Sequence, residues 1–134
     1  MFKGYIFNGF SLNLWDTAGQ EFFDNLRTFS YSDTDIFVLC FSLIDNESYT
    51  NAYKKWYPEL KEHNKKAKII LVATKVDFRN SRSDTITTEK GKELAKKIKA
   101  KGYFGNFYSA IVFSIYFYEL ELPVLYSVES IYAV

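Results

Sequence analysis

The stretch "IFVLCFS", residues 36–42, decides the fold class. Its apolar residues follow one another without alternation, the pattern of a strand buried on both faces, as in a parallel sheet. A second such run is "KIILVA", residues 68–73. Between the two, Asp45 precedes Tyr49, Ala52, Tyr53, Trp56 and Leu60 at helical spacing. Asp45 therefore caps a helix with one apolar face. Pro58 lies within it and lacks a backbone donor, which predicts a kink. Beyond the second run, Thr87 or Thr88 opens a lysine-rich helix with Leu94, Ala95 and Ile98 inward and Gly102 as its stop. Residues 103–108 (YFGNFY) read as a last, weaker strand. Strands alternating with helices predict an α/β fold with a mainly parallel sheet.

On the N-terminal side, residues 2–7 (FKGYIF) read as a strand and Asn8-Gly9 as a type I′ turn. Residues 10–15 then alternate Phe10, Leu12 and Leu14 against Ser11, Asn13 and Trp15, and form the return strand. No repeat or low-complexity segment interrupts the chain.

Composition narrows the classes of function. The 134 residues suit one domain, and a hydrophobic share of 48% favours a folded chain over a disordered one. Net charge is +1, so no overall field favours nucleic acid or an anionic membrane. The one cysteine, Cys40, makes no internal disulfide and sits in an apolar run, which fits a reduced, cytoplasmic setting. Neither a signal peptide nor an apolar run long enough to span a bilayer is visible. Lys90, Lys92, Lys96, Lys97, Lys99 and Lys101 read as a solvated helix face, with an anionic partner as the alternative. His63 reads as a solvated side chain at a helix end.

Ligands of open α/β sheets bind beyond the carboxyl ends of the strands. Three such ends carry polar signals. The first is "DTAGQ", residues 16–20. Its carboxylate suits a water-linked Mg²⁺, the Gly19 amide lets a phosphate oxygen approach, and Gln20 can orient a water. The second is "TKVD", residues 74–77. An acceptor-only carboxylate at Asp77 can take two N–H bonds from a guanine edge, and the Lys75 stem can lie along a flat ring. The third is Ser109-Ala110, where a backbone N–H can meet a base carbonyl. Each motif alone is weak; in order, each ending a strand, they are strong.

These residues carry a family resemblance. "LWDTAGQE", "LRTFSYSDTDIFVLCFS", "KWYPEL", "IILVATKVD" and "LAKKIKAKGYFGNFYSA" resemble the Ras-like small GTPases, and within them the Rho branch. Thr74, where most small GTPases have Asn, is similar to Rho, as is Ser30-Tyr31-x-Asp33-Thr34-Asp35. The resemblance implies a signalling switch that binds and hydrolyses GTP. Asp16 would be the Mg²⁺-linked carboxylate, Gly19 would touch the γ-phosphate and Gln20 would place the attacking water. Thr74, Lys75, Asp77, Ser109 and Ala110 would hold guanine. Residues 19–31 would be the second switch, with Phe22, Phe23, Leu26, Arg27 and Tyr31 facing effectors or regulators.

The departures shape the expected fold. The family's first strand, its loop G-x-x-x-x-G-K-[ST], the following helix and the first switch have no counterpart in the 134 residues. The span 78–87 leaves the extra Rho helix missing or reduced to a loop. Residues 111–134 form an apolar tail unlike the family's last helix, without a prenylation motif. The expected architecture is an incomplete Ras-like P-loop GTPase fold over 1–110 with an N-terminal hairpin, followed by this tail. The slot of the first strand should be empty, or closed by 10–15 moving against 36–42, with bare strand edges and a tendency to aggregate; residues 124–134 reaching into it is the disfavoured alternative, because such rethreading is rare. Tight GTP binding and hydrolysis are then not expected of the 134 residues alone. A GTPase that needs further sequence and a non-catalytic module acting through its second-switch surface are the two functional readings.

Overall fold

A computed structural model of the chain describes residues 2–7, 10–16, 28–29, 31–105 and 128–133, with side chains described for 28–29 and 31–105. The elements are β1 (Phe2–Phe7), β2 (Phe10–Asp16), β3 (Ile36–Ser42), α1 (Asn46–Asn51), a π-helical turn (Ala52–Trp56), α2 (Tyr57–His63), β4 (Lys68–Thr74), a 3₁₀ turn (Val76–Asn80), α3 (Thr88–Lys97), β5 (Gly102–Phe104) and β6 (Val128–Ala133). One six-stranded sheet runs in the order β1-β2-β6-β3-β4-β5.

β1 and β2 are antiparallel, from Phe2 opposite Trp15 to Phe7 opposite Phe10. That register agrees with a two-residue connection at Asn8-Gly9, whose turn type lies outside the described residues. All other neighbouring pairs are parallel.

The centre of the sheet corrects the expectation of an empty slot. The tail strand β6 lies between β2 and β3. Leu14, Trp15 and Asp16 pair with Ile131, Tyr132 and Ala133. The same three tail residues pair on their other side with Ile36, Phe37 and Val38. Leaving the slot open would strand peptide groups on both flanks, at about 1–3 kcal/mol for each unsatisfied group. The six-residue β6 pairs part of each flank, Leu12 and Leu14–Asp16 of β2 and Ile36–Val38 of β3. The long span 105–127 supplies the reach that a direct continuation of β5 lacks.

β3 and β4 pair along their whole length, from Ile36 opposite Lys68 to Ser42 opposite Thr74. Their period-2 faces both hold buried residues: Phe37, Leu39, Phe41, Ile69, Leu71 and Ala73 on one, Ile36, Val38 and Ile70 on the other. The first set joins Ala52 and Leu60 of the helical run and Leu94, Ala95 and Ile98 around α3 in one core. This is why residues 36–41 and 69–73 are apolar at every position rather than at alternate ones.

The helix caps follow the sequence. Asp45 Oδ1 accepts the backbone N–H groups of Glu47 at 2.9 Å and Ser48 at 3.2 Å. Thr87 Oγ1 accepts the Lys90 N–H at 3.2 Å. Three details differ from expectation. Pro58 does not simply kink the helix: the turn before it opens to π form, with the Tyr57 N–H bonded to the Ala52 carbonyl. The missing proline N–H and the ring's crowding of the carbonyl four residues back favour such a wider turn. α3 ends at Lys97 rather than at Gly102, and Lys99 takes the left-handed conformation at φ 54°. β5 spans Gly102–Phe104, and the rest of the predicted strand 103–108 lies beyond Gly105, outside the described residues.

Candidate functional site

Because β2, β6, β3, β4 and β5 are parallel, their carboxyl ends share one edge of the sheet. Asp16 ends β2 and Thr74 ends β4 on that edge. They are staggered. Asp16 is in register with Ala133, and Ala133 with Val38, whereas Thr74 is opposite Ser42, four residues further on. At about 3.3 Å per residue the β4 end stands roughly 13 Å beyond the level of Asp16.

The β4 end is the best-defined part of the edge. Thr74 Oγ1 donates to the Phe41 carbonyl at 3.2 Å, and the Thr74 carbonyl accepts the Leu43 N–H at 3.1 Å. These bonds tie the ends of β3 and β4 together, so Thr74 braces the edge through both its side chain and its backbone. Lys75 follows in the left-handed region, at φ 55° and ψ 37°. That conformation is uncommon for a residue with a Cβ and costs of order 1–3 kcal/mol. It reverses the chain into the 3₁₀ turn, where the Phe78 N–H bonds to the Lys75 carbonyl at 3.2 Å. Lys75 and Asp77 are both exposed at this corner. The sheet thus ends in a cation and a carboxylate two residues apart, held by a strained reversal.

The remaining site candidates divide in two. Asp16 is placed by its backbone at the β2 end. Gly19, Gln20, Ser109 and Ala110 lie outside the described residues, as do Phe22, Phe23, Leu26 and Arg27.

Tyr31 is a correction. The family resemblance turns it toward effectors or regulators, but it is fully buried. Its ring meets Phe37 edge-on at 5.2 Å and His63 at 5.7 Å, and its hydroxyl donates to Glu59 Oε1 at 2.9 Å. An aromatic ring of that size, with an acceptor for its hydroxyl, is more stable under the helix than in water. Among the described residues of this segment, Phe29 is the exposed aromatic, at 85% of its free surface. His63 is exposed but engaged: its Nδ1 lies 2.9 Å from the Glu59 carbonyl. The lysines of α3 are exposed, as a solvated face requires.

Sequence reasoning missed Asn64. Its Nδ2 donates to the carbonyls of Tyr31 at 2.8 Å, Ser32 at 3.3 Å and Thr34 at 2.9 Å. Its Oδ1 accepts the N–H groups of Lys66 at 3.1 Å and Ala67 at 3.0 Å. One amide joins the 31–34 turn to the entry of β4. The signal that could have found it was an Asn at a helix C-terminus just before a buried strand.

Among the described residues no group of three or more His, Cys, Asp or Glu is placed to hold a metal ion. Among the same residues no helix is long and apolar enough to cross a membrane.

The family model of Ras matches residues 7–110. The chain belongs to the Ras family of small GTPases, in its Rho branch. It is 45% identical over 94 residues to the Ras-like GTP-binding protein RHO1 of Entamoeba histolytica. That alignment covers 70% of this chain and 44% of the relative, so the chain spans less than half the length of the protein it matches. In this Rho-type chain the strand order keeps the hairpin at one edge of the sheet and β5 at the other, with β6 in the central position.

Proposed function

We propose that this chain carries the base-recognising half of a GTP-switch site, at the turn that follows β4. The observation that carries the reading is the left-handed Lys75 between a strand end and the 3₁₀ turn bearing Asp77. Strain of this kind persists where the surrounding structure enforces it, and it gathers at ligand sites. Asp77 would accept two N–H bonds from the guanine edge, and the Lys75 stem would pack along the ring. Thr74 would hold the turn in place through β3. Ser109 and Ala110 would complete the base contacts, as the family resemblance has it.

The phosphate half fits less well. No G-x-x-x-x-G-K-[ST] occurs in the 134 residues, so they offer no N–H cradle or lysine of that kind. Asp16 would serve Mg²⁺ through water, Gly19 would meet a γ-phosphate and Gln20 would orient a water. When bound, Mg²⁺ would neutralise phosphate charge. Those three residues alone do not make up a hydrolytic site, since hydrolysis also needs the phosphates held in place. Effectors or regulators would engage the segment containing Phe22, Phe23, Leu26 and Arg27.

The test is titration of the 134-residue chain with GDP, GTP and ATP, followed by amide NMR. Weak binding is expected, poorer than micromolar, with shifts centred on 74–80 and a preference for guanine over adenine that Asp77→Ala abolishes. Equal response to all three nucleotides would refute the reading. Micromolar or tighter GTP affinity would refute the statement about the phosphate half.

A further inference from the structure

Tyr103, on β5, reaches from the sheet toward the candidate site. Its ring stacks on Phe41, with centroids 6.4 Å apart and planes 6° from parallel. It also lies directly over Gly91 of α3: a Cβ at position 91 would overlap the ring carbon Cζ and the hydroxyl. Gly91 is itself buried in the middle of a helix, where glycine is disfavoured by roughly 1 kcal/mol relative to alanine. The ring explains that glycine: no larger residue leaves it room.

The Tyr103 hydroxyl is buried and faces Arg79, which lies on the same 3₁₀ turn as Asp77. A Cβ built on Gly105 would be 3.0 Å from the Tyr103 hydroxyl and 3.5 Å from Arg79 Nη2, so both groups converge on one small space. Neither polar atom has a hydrogen-bond partner of good geometry among the described residues. They are close but imperfectly aligned. Burial pushes the Tyr103 phenol up from its ordinary pKa, and the neighbouring guanidinium opposes that push.

We infer that Arg79 and Tyr103, seated on Gly91, are positioning residues that hold the Val76–Asn80 turn, and with it Asp77, at a fixed place against α3 and β5. The inference rests on the reading of Asp77 as the guanine acceptor. A carboxylate that takes two N–H bonds needs its position set to a fraction of an ångström, and a 3₁₀ turn with few partners does not supply that by itself. The Arg79–Tyr103 contact ties the back of the turn to two regular elements.

The test uses the 134-residue chain with Arg79→Ala, Arg79→Lys and Tyr103→Phe. Amide hydrogen exchange is measured without nucleotide, and affinity for GDP and IDP by NMR titration; IDP lacks the 2-amino group that one of the two N–H bonds needs. Arg79→Ala should speed exchange at 76–80 by about tenfold, because the guanidinium's packing against the buried Tyr103 hydroxyl is lost. Exchange in β3 and β4 should stay unchanged. The GDP preference over IDP should narrow about fivefold or more in Arg79→Ala, with partial recovery in Arg79→Lys. A purely structural role would weaken both nucleotides equally and leave the preference intact. Unchanged exchange at 76–80 in both Arg79→Ala and Tyr103→Phe, or a loosened turn with the full GDP preference retained, would overturn the inference alone. A wild-type chain with no GDP preference would overturn the Asp77 reading and the positioning role together, while the exchange data would still report whether the contact holds the turn.

Discussion

The Tyr31 hydroxyl donates to Glu59 Oε1 at 2.9 Å, across 28 residues of sequence. This bond fastens the end of segment 19–31, the second switch by resemblance, to α2. The ring below it is fully buried against Phe37. Segment 19–31 is therefore tied to the core at its last residue.

Tyr31→Phe keeps the ring and removes the bond. It should cost about 1.5–3 kcal/mol, the range for a hydrogen bond to a charged group. Tyr31→Ala should cost about 3–5 kcal/mol, because the ring's packing is lost as well. Urea denaturation of the two variants measures the difference. Equal losses would mean that the hydroxyl contributes nothing.

Asn64 provides a second anchor for the same turn. Asn64→Ala removes an amide that serves three carbonyls and two N–H groups. A loss of about 2–3 kcal/mol is expected, with faster amide exchange at Ala67 and across 31–34. Asn64→Asp should rescue the Oδ1 bonds and protect Ala67, but not the contacts to the carbonyls of Tyr31 and Thr34. Uniform effects of the two substitutions would argue against this division of roles.

The inserted strand makes a sharp prediction. Every N–H of a central strand points to one neighbour or the other, and β6 has neighbours on both sides. Ile131→Pro removes one such donor opposite Leu14 and Ile36 and should cost about 3 kcal/mol or more. The change should appear as a lower urea midpoint, with new amide exchange in β2 and β3. A proline at 131 that leaves the midpoint unmoved would place the tail outside the sheet.

Alkaline pH should weaken the fold. Burial raises the phenols of Tyr49 and Tyr103 above 10.0, with Glu93 adding to the rise at Tyr49. The folded state then keeps protons that the unfolded chain releases. This contribution is complete below about pH 10 and is lost as pH rises through the folded values. Lys61 acts in the opposite sense, since burial lowers it from 10.5. It remains mostly solvated, so its effect is small. Thermal midpoints should fall above about pH 10, and Tyr103→Phe should flatten the fall. A fall just as steep in Tyr103→Phe would assign it to other groups.

Local chemistry along the chain was enough to specify the individual elements and the family. The continuous apolar runs at 36–42 and 68–73, the caps at Asp45 and Thr87, and the hairpin strands are all found where side-chain pattern and capping chemistry put them. Each depends on residues within a few positions of one another. The motif "TKVD" was equally legible, because a strand end and its turn are local.

Whatever depends on distant partners came from the assembled fold. No periodicity in residues 111–134 tells that Val128–Ala133 pairs between β2 and β3; the reason lies in the peptide groups that those two strands leave unpaired. The burial of Tyr31, which the family resemblance turned toward partners, goes with an acceptor, Glu59, 28 residues away. The glycine at position 91 of α3 is explained only by the Tyr103 ring that β5 brings against it. Hydrophobic pattern sets which face of an element is buried, but the unpaired backbone groups and the shapes of neighbouring side chains set what buries it.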